Sequence, residues 1–493
     1  MKAKRFTCKL FFVLLSLSFC IRAASAEPAP GREYLDTVRS YADYMIEHGR
    51  DRCGDEHSPL FSAALDRIPP MTGSFFPIDG IRETDRTLKG ANPMHDQNLY
   101  QILYALTEIT GDKKYARESD KALKWFFGRC QSPATGLMAW GEHIGWDFQC
   151  EAMCGLDKSH EFFRPWVLWD KVYELAPEAA LKFARGLWDH QIHDHETGTY
   201  SRHARWSRHQ TKTRYEFPRH GGFYIMTWAK AYGKTRDPVY IKAVETLVDM
   251  FNRQNSKQTG AIPCASDPKL AKIVWPDSNL SLAVDLTDAA GAFPEPLRKK
   301  MIDRAETTDR VYLSLGHDFS PRGIGFVQGA RIDTLKTLTS GPWTHTKPWV
   351  TGYGKATDSR IANLCYLRYL QLAEGKSRRG YRALILGSAF RYLESLPNFE
   401  ETIYPGPMGH VVLHMLATHE ITGETKYLNR ADYFARLAVS SFLSDASPLP
   451  MASSRHDHYE AITRADTMMM AFLKLWVVQH RHELNSKLIF NDR

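Results

Sequence analysis

LYALTEITGDKKY, residues 103–115, is the stretch that decides the fold, because a close copy of it stands near the other end of the chain. Residues 415–427 read MLATHEITGETKY, which repeats the Glu-Ile-Thr-Gly centre and the final Lys-Tyr. Looser copies occupy residues 228–240 and 370–381. Self-similarity of this kind is typical of a repeat architecture in which each unit is one supersecondary element.

Each copy has the pattern of a helix, a short turn and a second helix. Gly111 and Gly423 suit the left-handed conformation that ends a helix, and the acidic residue after each favours the positive end of the next helix. Apolar residues three and four apart indicate amphipathic helices that pack in pairs. The outgoing helices share a tyrosine position, occupied by Tyr115, Tyr240, Tyr381 and Tyr427. We therefore predict an all-α fold, an (α/α) toroid or barrel of six or seven helical hairpins with few short strands.

The first 26 residues predict export from the cytoplasm. Basic residues precede an apolar run at residues 10–19, and Ala24-Ser25-Ala26 offers the small residues of a cleavage site. This pattern indicates a signal peptide at residues 1–26 and a periplasmic or secreted protein. No later stretch is apolar for the length that a membrane span needs. Residues 27–485 are expected to form a single toroid catalytic domain, with a long insertion around residues 257–337 where the repeat is weakest.

Charge and cysteine content exclude two classes of protein. The formal net charge of +8 falls to +3 when the five positive charges of the predicted signal peptide are subtracted, so nucleic acid is not an expected partner. The six cysteines outside that peptide are too few for a disulfide scaffold. Cys150 and Cys154 leave a packed thiol pair, one disulfide or a metal knuckle open.

Long loops rich in Gly, Trp, His and Arg connect the predicted hairpins at residues 136–163, 197–222, 257–281 and 314–353. Loops of this length in a compact helical protein are commonly functional. Three segments are densest in such residues, WGEHIGWD at 140–147, SHEFFRPW at 159–166 and YSRHARW at 200–206. Indole faces suit the apolar faces of sugar rings, and the planar fork of Arg binds an anion in a bidentate manner. These segments predict a groove that prefers an acidic polysaccharide or oligosaccharide.

The residues His143, Glu161 and the adjacent Arg202-His203 resemble the site of polysaccharide lyase family 2, the helical-toroid pectate lyases. The resemblance implies that His143, Glu161 and His203 bind a divalent transition metal and that Arg202 is the base. It also implies cleavage of a uronate-containing, pectate-like polysaccharide by metal-assisted β-elimination. His160 and Glu142 are alternatives for the first ligand.

Chemistry explains why these residue types would be needed. A lyase must neutralise the C6 carboxylate of a 4-linked uronate, remove the C5 proton and release the C4 oxygen. Since Arg is almost always protonated, Tyr200 and His209 are kept as alternative bases. His and carboxylate ligands favour Mn, Co, Ni or Zn over Ca.

Further substrate contacts are expected from these loops and from the starts of the inner helices, which line the cleft of a toroid. His95 and Asp96 precede one such helix and either cap it or contact substrate. Segment 455–459 is either another contact or a solvated loop. The predicted substrate-binding residues are Glu142, Trp146, His160, Arg164, Arg205, Arg219, His220, Tyr404 and His410.

Three other functions compete with the lyase. A glycoside hydrolase on the same fold needs only two carboxyl groups, and Glu142, Asp147 and Glu161 are candidates. A sugar epimerase or isomerase would use His pairs, although export without an evident cofactor source disfavours it. A glycan-binding protein would bind without turnover. Only a lyase product carries a C4=C5 double bond conjugated to the carboxylate, so ultraviolet absorbance distinguishes the lyase from these rivals.

Overall fold

The computed structural model describes residues 34–68, 77–157, 162, 164–203, 205–211, 216–341, 343–350, 355–485 and 492. The predicted signal peptide at residues 1–26 lies outside the described residues, and so do His160 and Glu161. Fourteen α-helices are found within the described part: α1 (Tyr34–Glu47), α2 (Gln97–Thr110), α3 (Lys114–Arg129), α4 (Trp169–Leu175), α5 (Pro177–Gly186), α6 (Pro218–Thr235), α7 (Pro238–Gln254), α8 (Pro276–Ala290), α9 (Leu297–Leu313), α10 (Asp358–Gln371), α11 (Lys376–Glu394), α12 (Pro405–Thr422), α13 (Thr425–Phe442) and α14 (Ala465–His480).

Seven short strands accompany these helices in the same described ranges: β1 (Ala64–Leu65), β2 (Gly90–Ala91), β3 (Ile144–Asp147), β4 (Ala152–Gly155), β5 (Ile273–Val274), β6 (Ala330–Arg331) and β7 (Tyr459–Glu460). They pair antiparallel as β1 with β7, β2 with β3, β3 with β4, and β5 with β6. The predicted fold class, mostly helical with few short strands, is therefore confirmed.

The helices form a closed ring of hairpins. Consecutive helices pack as the pairs α2–α3, α4–α5, α6–α7, α8–α9, α10–α11 and α12–α13. The inner helices α6, α8, α10, α12 and α14 each contact the next one around the ring, and the short α4 contacts both α3 and α6. Helix α14 then packs against α1 and α2, which closes the circle. The molecule is thus an (α/α) toroid, as the similarity between its early and late repeats predicted.

Inner and outer helices differ in the pattern of burial. In α14, twelve residues from Ala465 to Val477 are buried, whereas in the outer α3 only one face is buried. The inner helix contacts neighbours on several sides, so an apolar residue stabilises it at almost any position. The predicted left-handed turns are confirmed, because Gly111 and Gly423 have φ values of 75° and 71° at the ends of α2 and α12.

The stretch 257–337, predicted as a long insertion, contains a regular unit of the ring. Helix α8 packs between α6 and α10, and α9 forms its outer partner. The small β5–β6 pair is the part that departs from the repeat. The repeat was hard to recognise because α8 has twelve buried residues and only a weak amphipathic pattern.

Within the described residues, no helix combines the length and the apolar character that crossing a membrane requires.

Candidate functional site

Glu142, His143 and His203 come together from the loop that precedes β3 and from the loop between α5 and α6. One ligand atom from each of these side chains lies within 4.8 Å of the corresponding atoms of the other two. The rings of His143 and His203 are 5.7 Å apart between centroids, and their residues are 7% and 9% exposed. Two imidazoles and a carboxylate are a donor set that suits a divalent transition metal. The predicted pair of His143 and His203 is therefore brought together, 60 residues apart in sequence.

The first of the two loops is held in place by a small sheet and an asparagine. Glu142 and His143 directly precede β3, which pairs with both β2 and β4. The buried Asn92 amide donates to the carbonyl oxygens of Gly141 at 2.8 Å and Ile144 at 3.2 Å. Because Asn92 closes hydrogen bonds on both sides of Glu142 and His143, the two side chains have a defined backbone position.

Asp85 orients the His143 ring. The Nδ1 atom of His143 lies 2.8 Å from Oδ1 of Asp85, whose side chain is 1% exposed. A carboxylate accepts a hydrogen bond, so it favours the tautomer with the proton on Nδ1 and the lone pair on Nε2, the atom that faces Oε2 of Glu142 at 3.5 Å. Arg82 joins Asp85 to Glu142, because its guanidinium group donates to Asp85 at 2.8 Å and to Glu142 at 3.1 Å. This carboxylate–histidine arrangement is typical of a metal-binding histidine.

The second loop brings His203 and Arg202 to the cluster. The His203 amide donates to the Ser201 hydroxyl at 3.2 Å, and the side chain of Gln210 donates to the His203 carbonyl oxygen. Arg202 lies over the ring of Phe217, with 4.6 Å from Cζ to the ring centroid. Its charge also lowers the pKa of Arg219, after the larger effect of burial. Arg202 therefore stands at the cleft next to a predicted ligand.

Arginines line the cleft beyond the cluster. A small cavity of about 40 Å³ is lined by Arg164, Arg219, Arg360 and Asp277, among others. Arg219 stacks over Trp275 at 4.9 Å. Burial raises the pKa of Asp277 to about 6, against the opposing charges of Arg219 and Arg360. A cleft of this charge favours an anionic ligand.

Three residues predicted to contact substrate or to act as a base lie in different surroundings, two of them buried and one exposed. Trp146 packs edge-on against Trp125 in the core and is 6% exposed. The buried Tyr200 donates its hydroxyl to the Phe217 carbonyl oxygen at 3.1 Å. His209 is exposed beside His190 and His193. These surroundings suit core packing for Trp146 and Tyr200, and the three roles predicted for Trp146, Tyr200 and His209 stay predictions.

The remaining predicted substrate contacts lie at or near the starts of inner helices, apart from Arg205, which donates to the Asp157 carbonyl oxygen at 3.1 Å. His220, in the first turn of α6, is completely buried beside Phe223. Tyr404 donates its hydroxyl to the Asp79 carbonyl oxygen. His410 and Arg164 both bind the carboxylate of Asp492 at 2.8 Å.

Sequence reasoning missed Asp85, Asp277, Arg360 and Arg464. Asp277, Arg360 and Arg464 stand at the starts of α8, α10 and α14. The rule that inner-helix starts line the cleft would have identified these three residues, had those helices been recognised as inner ones. Asp85 is 58 residues from His143 on a short 3₁₀ turn at Glu83–Asp85, so no local pattern could have indicated it.

Several solved structures are similar in overall fold at low sequence identity. An unsaturated glucuronyl hydrolase specific for heparin is 12% identical over 91% of this chain and 98% of its own, with a TM-score of 0.46. Cellobiose 2-epimerase from Bacillus thermoamylovorans B4167 is 8% identical over 90% and 99%, with a TM-score of 0.45. An alpha-1,6-mannanase from Salegentibacter sp. HEL1_6 is 9% identical over 92% and 100%, with a TM-score of 0.44.

A family model matches the part of the chain that carries the cluster. The matched residues are 75–232, and they include the Glu142, His143 and His203 cluster together with Arg202. The chain therefore resembles, over residues 75–232, the family described as periplasmic pectate lyase.

Proposed function

We propose that this protein is a polysaccharide lyase that cleaves a uronate-containing, pectate-like polymer by metal-assisted β-elimination. The observation that carries the proposal is the convergence of Glu142, His143 and His203 inside the segment similar to periplasmic pectate lyases. The arginine-lined cleft supports an acidic substrate, because guanidinium groups bind carboxylates in a planar, bidentate geometry.

His143, His203 and Glu142 would hold the metal, and Glu161 remains a predicted ligand outside the described residues. The orientation of His143 by Asp85 is the structural observation that fits a metal, since it presents Nε2 with its lone pair. A bound divalent cation would supply Lewis-acid stabilisation of the charge that develops on the uronate carboxylate. Nitrogen and carboxylate donors favour Mn, Co, Ni or Zn over Ca.

The chain's own residues would bind the polymer and move the proton. Arg219 and Arg360, at the starts of α6 and α10, would bind carboxylates of the substrate along the cleft. Arg202, next to His203, is placed to act on the C5 proton, as the family resemblance implies. Its stacking over the Phe217 ring, with 4.6 Å from Cζ to the ring centroid, would hold the guanidinium group at this position.

A spectrophotometric assay tests the reaction class. Purified protein is incubated with polygalacturonate and other uronate polymers, and absorbance of the unsaturated product is followed. We expect a rising signal that EDTA abolishes and Mn restores. The absence of absorbance on every uronate polymer would contradict the lyase proposal.

Two variants test the site separately from the class. His203→Ala should lower the rate at least about 100-fold, since it removes a metal ligand. The matched control is His48→Ala, because His48 is exposed just beyond the end of α1 and its side chain interacts with Tyr44, Arg52 and Glu47. If both His203→Ala and Arg202→Ala retain full lyase activity, the reaction class stands and the assigned site is wrong.

A glycoside hydrolase is the second candidate, and Asp277 is the observation that favours it. A carboxyl group whose pKa is raised to about 6 can act as a general acid near neutral pH. Asp277 lines the same small cavity as Arg219, and Glu142 is near enough to raise the pKa of that arginine slightly. Release of reducing ends without ultraviolet absorbance would identify this reaction.

We also propose that the protein works in the periplasm or outside the cell. The basic and apolar pattern of residues 1–26 supports export. Cell fractionation of the full chain, with N-terminal sequencing of the exported form, checks the compartment and the cleavage site together.

A further inference from the structure

A buried carboxylate site lies deep in the cleft, and the side chain of Asp492 fills it. Oδ1 of Asp492 is 2.8 Å from Nη1 of Arg164 and 3.5 Å from Nη1 of Arg464. Oδ2 is 2.8 Å from Nε2 of His410, and it accepts a hydrogen bond at 2.8 Å from the Thr467 hydroxyl. These four partners come from the loop before α4, the start of α12 and the start of α14.

Positively charged side chains surround this carboxylate. Arg164 is 1% exposed and pairs with Asp466 at 3.0 Å as well as with Asp492. Nη1 of Arg464 adds a second positive charge 3.5 Å from Oδ1 of Asp492. The Asp492 carboxylate thus offsets part of the cost of burying these cations. The charges of Arg464 and Arg164, with the His410 hydrogen bond, hold the pKa of Asp492 well below its usual range despite burial.

The site stands between two cavities. Arg164 lines the small cavity of about 40 Å³ that it shares with Arg219 and Arg360. Asp492 lines a larger cavity of about 500 Å³, whose wall includes Leu413, Leu416 and Lys474. The ion pair of Arg164 and Asp492 therefore lies between the arginine-lined cavity and a second cavity whose wall includes the exposed Leu370.

The backbone of His95 helps to hold Arg164 in this site. Its carbonyl oxygen accepts a hydrogen bond at 2.6 Å from Nη2 of Arg164. Burial lowers the pKa of the His95 imidazole, and the charges of Arg164 and Arg464 lower it further. A neutral imidazole beside Arg164 leaves the positive charge of the site on the arginines.

We infer that Arg164, His410 and Thr467 form a carboxylate-binding subsite that takes the carboxylate of a uronate unit, and that the Asp492 side chain fills it when no substrate is bound. The inference rests on the proposed acidic substrate and adds a position at which one acidic unit of the polymer is recognised. It makes Asp492 an internal competitor of the substrate.

The test measures binding of a single acidic sugar, in EDTA and without turnover. D-galacturonate is titrated calorimetrically into the wild-type protein and into Asp492→Ala, with D-galactose as the uncharged sugar and acetate as the simple carboxylate. We expect D-galacturonate to bind Asp492→Ala at least about tenfold more tightly than the wild type, and D-galactose to show no gain. The exposed Asp333→Ala variant is the control, and it should bind as the wild type does.

Two results would overturn the inference. A folded Asp492→Ala variant that binds D-galacturonate no more tightly than the wild type makes Asp492 a structural ion-pair partner. An equal gain for acetate overturns the assignment to a sugar acid. If Asp492→Ala does not fold, Asp492→Asn carries the same comparison, because its amide keeps the size of the side chain and removes the charge. Since no bond is cleaved, a failed lyase assay leaves this result unaffected, and the reverse also holds.

Discussion

At the scale of single residues, the hydrogen bond between His143 and Asp85 has the clearest chemical consequence. Asp85 is buried and accepts from Nδ1 of His143, so it sets the tautomer and the orientation of the ring. The proposed metal centre consequently depends on a residue that would not contact the metal.

Asp85→Asn should weaken metal binding by about 10- to 100-fold, because an amide orients the ring less strongly and does not supply negative charge. The affinity for Mn or Zn is measured by calorimetry. Glu83→Gln is the matched control, since Glu83 lies on the same short turn but is exposed and pairs with Arg86. Equal affinities for the two variants would contradict the orienting role of Asp85.

Asp277 predicts a dependence of stability on pH. Burial raises the pKa of its carboxyl from 3.8 to about 6 in the folded protein. Ionisation therefore costs the folded state free energy above about pH 6, and this cost disappears below pH 3.8. Asp277→Asn removes this cost. The variant's unfolding free energy minus that of the wild type should therefore be about 2 kcal/mol larger at pH 8 than at pH 4. Chemical denaturation at both pH values measures this change, with Asp333→Asn as the control. A stability difference between Asp277→Asn and the wild type that does not depend on pH would contradict the prediction.

The site residues that could be predicted are those in short segments of sequence that are rich in functional residue types. His143 and His203 stand in segments that are dense in His, Arg and Trp, and both reach the cluster. Asp85, Arg360 and Arg464 were not predictable in the same way, because ring closure brings them to the cleft from distant helices and turns. The sequence did not indicate the surroundings of Trp146 either, which packs against Trp125 and is 6% exposed, and its predicted role stays a prediction.

At the scale of elements, the close approach of α12 to α14 depends on Gly409. A Cβ atom at this position would lie 2.7 Å from the backbone nitrogen and 2.8 Å from Cα of Met468. Backbone atoms cannot rotate away as a side chain can, so any larger residue would push the two inner helices apart.

Gly409→Ala should therefore lower the free energy of unfolding by about 2 kcal/mol. The matched control is Gly233→Ala, an exposed position of α6 where an added Cβ meets no atom within 4 Å among the described residues. That control should stabilise the protein by up to about 1 kcal/mol, because alanine favours the helix. Chemical denaturation measures both variants, and equal effects of the same sign would refute the close-packing argument.

The hairpins themselves were the most predictable elements. The two best repeats became α2–α3 and α12–α13, and the tyrosines Tyr115, Tyr240, Tyr381 and Tyr427 are buried in outer helices. Helix α8 was missed because the spacing of apolar residues identifies a helix that has one solvent-exposed face, whereas α8 is buried almost throughout.

At the scale of the whole molecule, contacts between the early and late parts of the chain close the ring. Residues Ala64 and Glu460 pair in the β1–β7 ladder. The Tyr34 hydroxyl of α1 donates to Asp432 of α13 at 2.8 Å. Sequence similarity between the ends made a closed ring an expectation, but only these contacts establish closure.

The buried ion pair of Arg86 and Glu460 gives the sharpest test of closure. Arg86 donates to the two carboxylate oxygens at 2.9 and 2.7 Å, and the side chains are 1% and 2% exposed. Arg86→Ala leaves the buried Glu460 carboxylate without its arginine and still beside His458, so it should cost about 3 to 5 kcal/mol. Lys299→Ala, which breaks the exposed pair with Asp303, should cost less than about 1 kcal/mol.

Because the Arg86–Glu460 pair joins both ends of the ring, hydrogen exchange should show α1–α2 and α12–α14 losing protection together in Arg86→Ala. Loss of protection confined to α1 and α2 would mean that the two ends open independently and that the ring does not unfold as one unit.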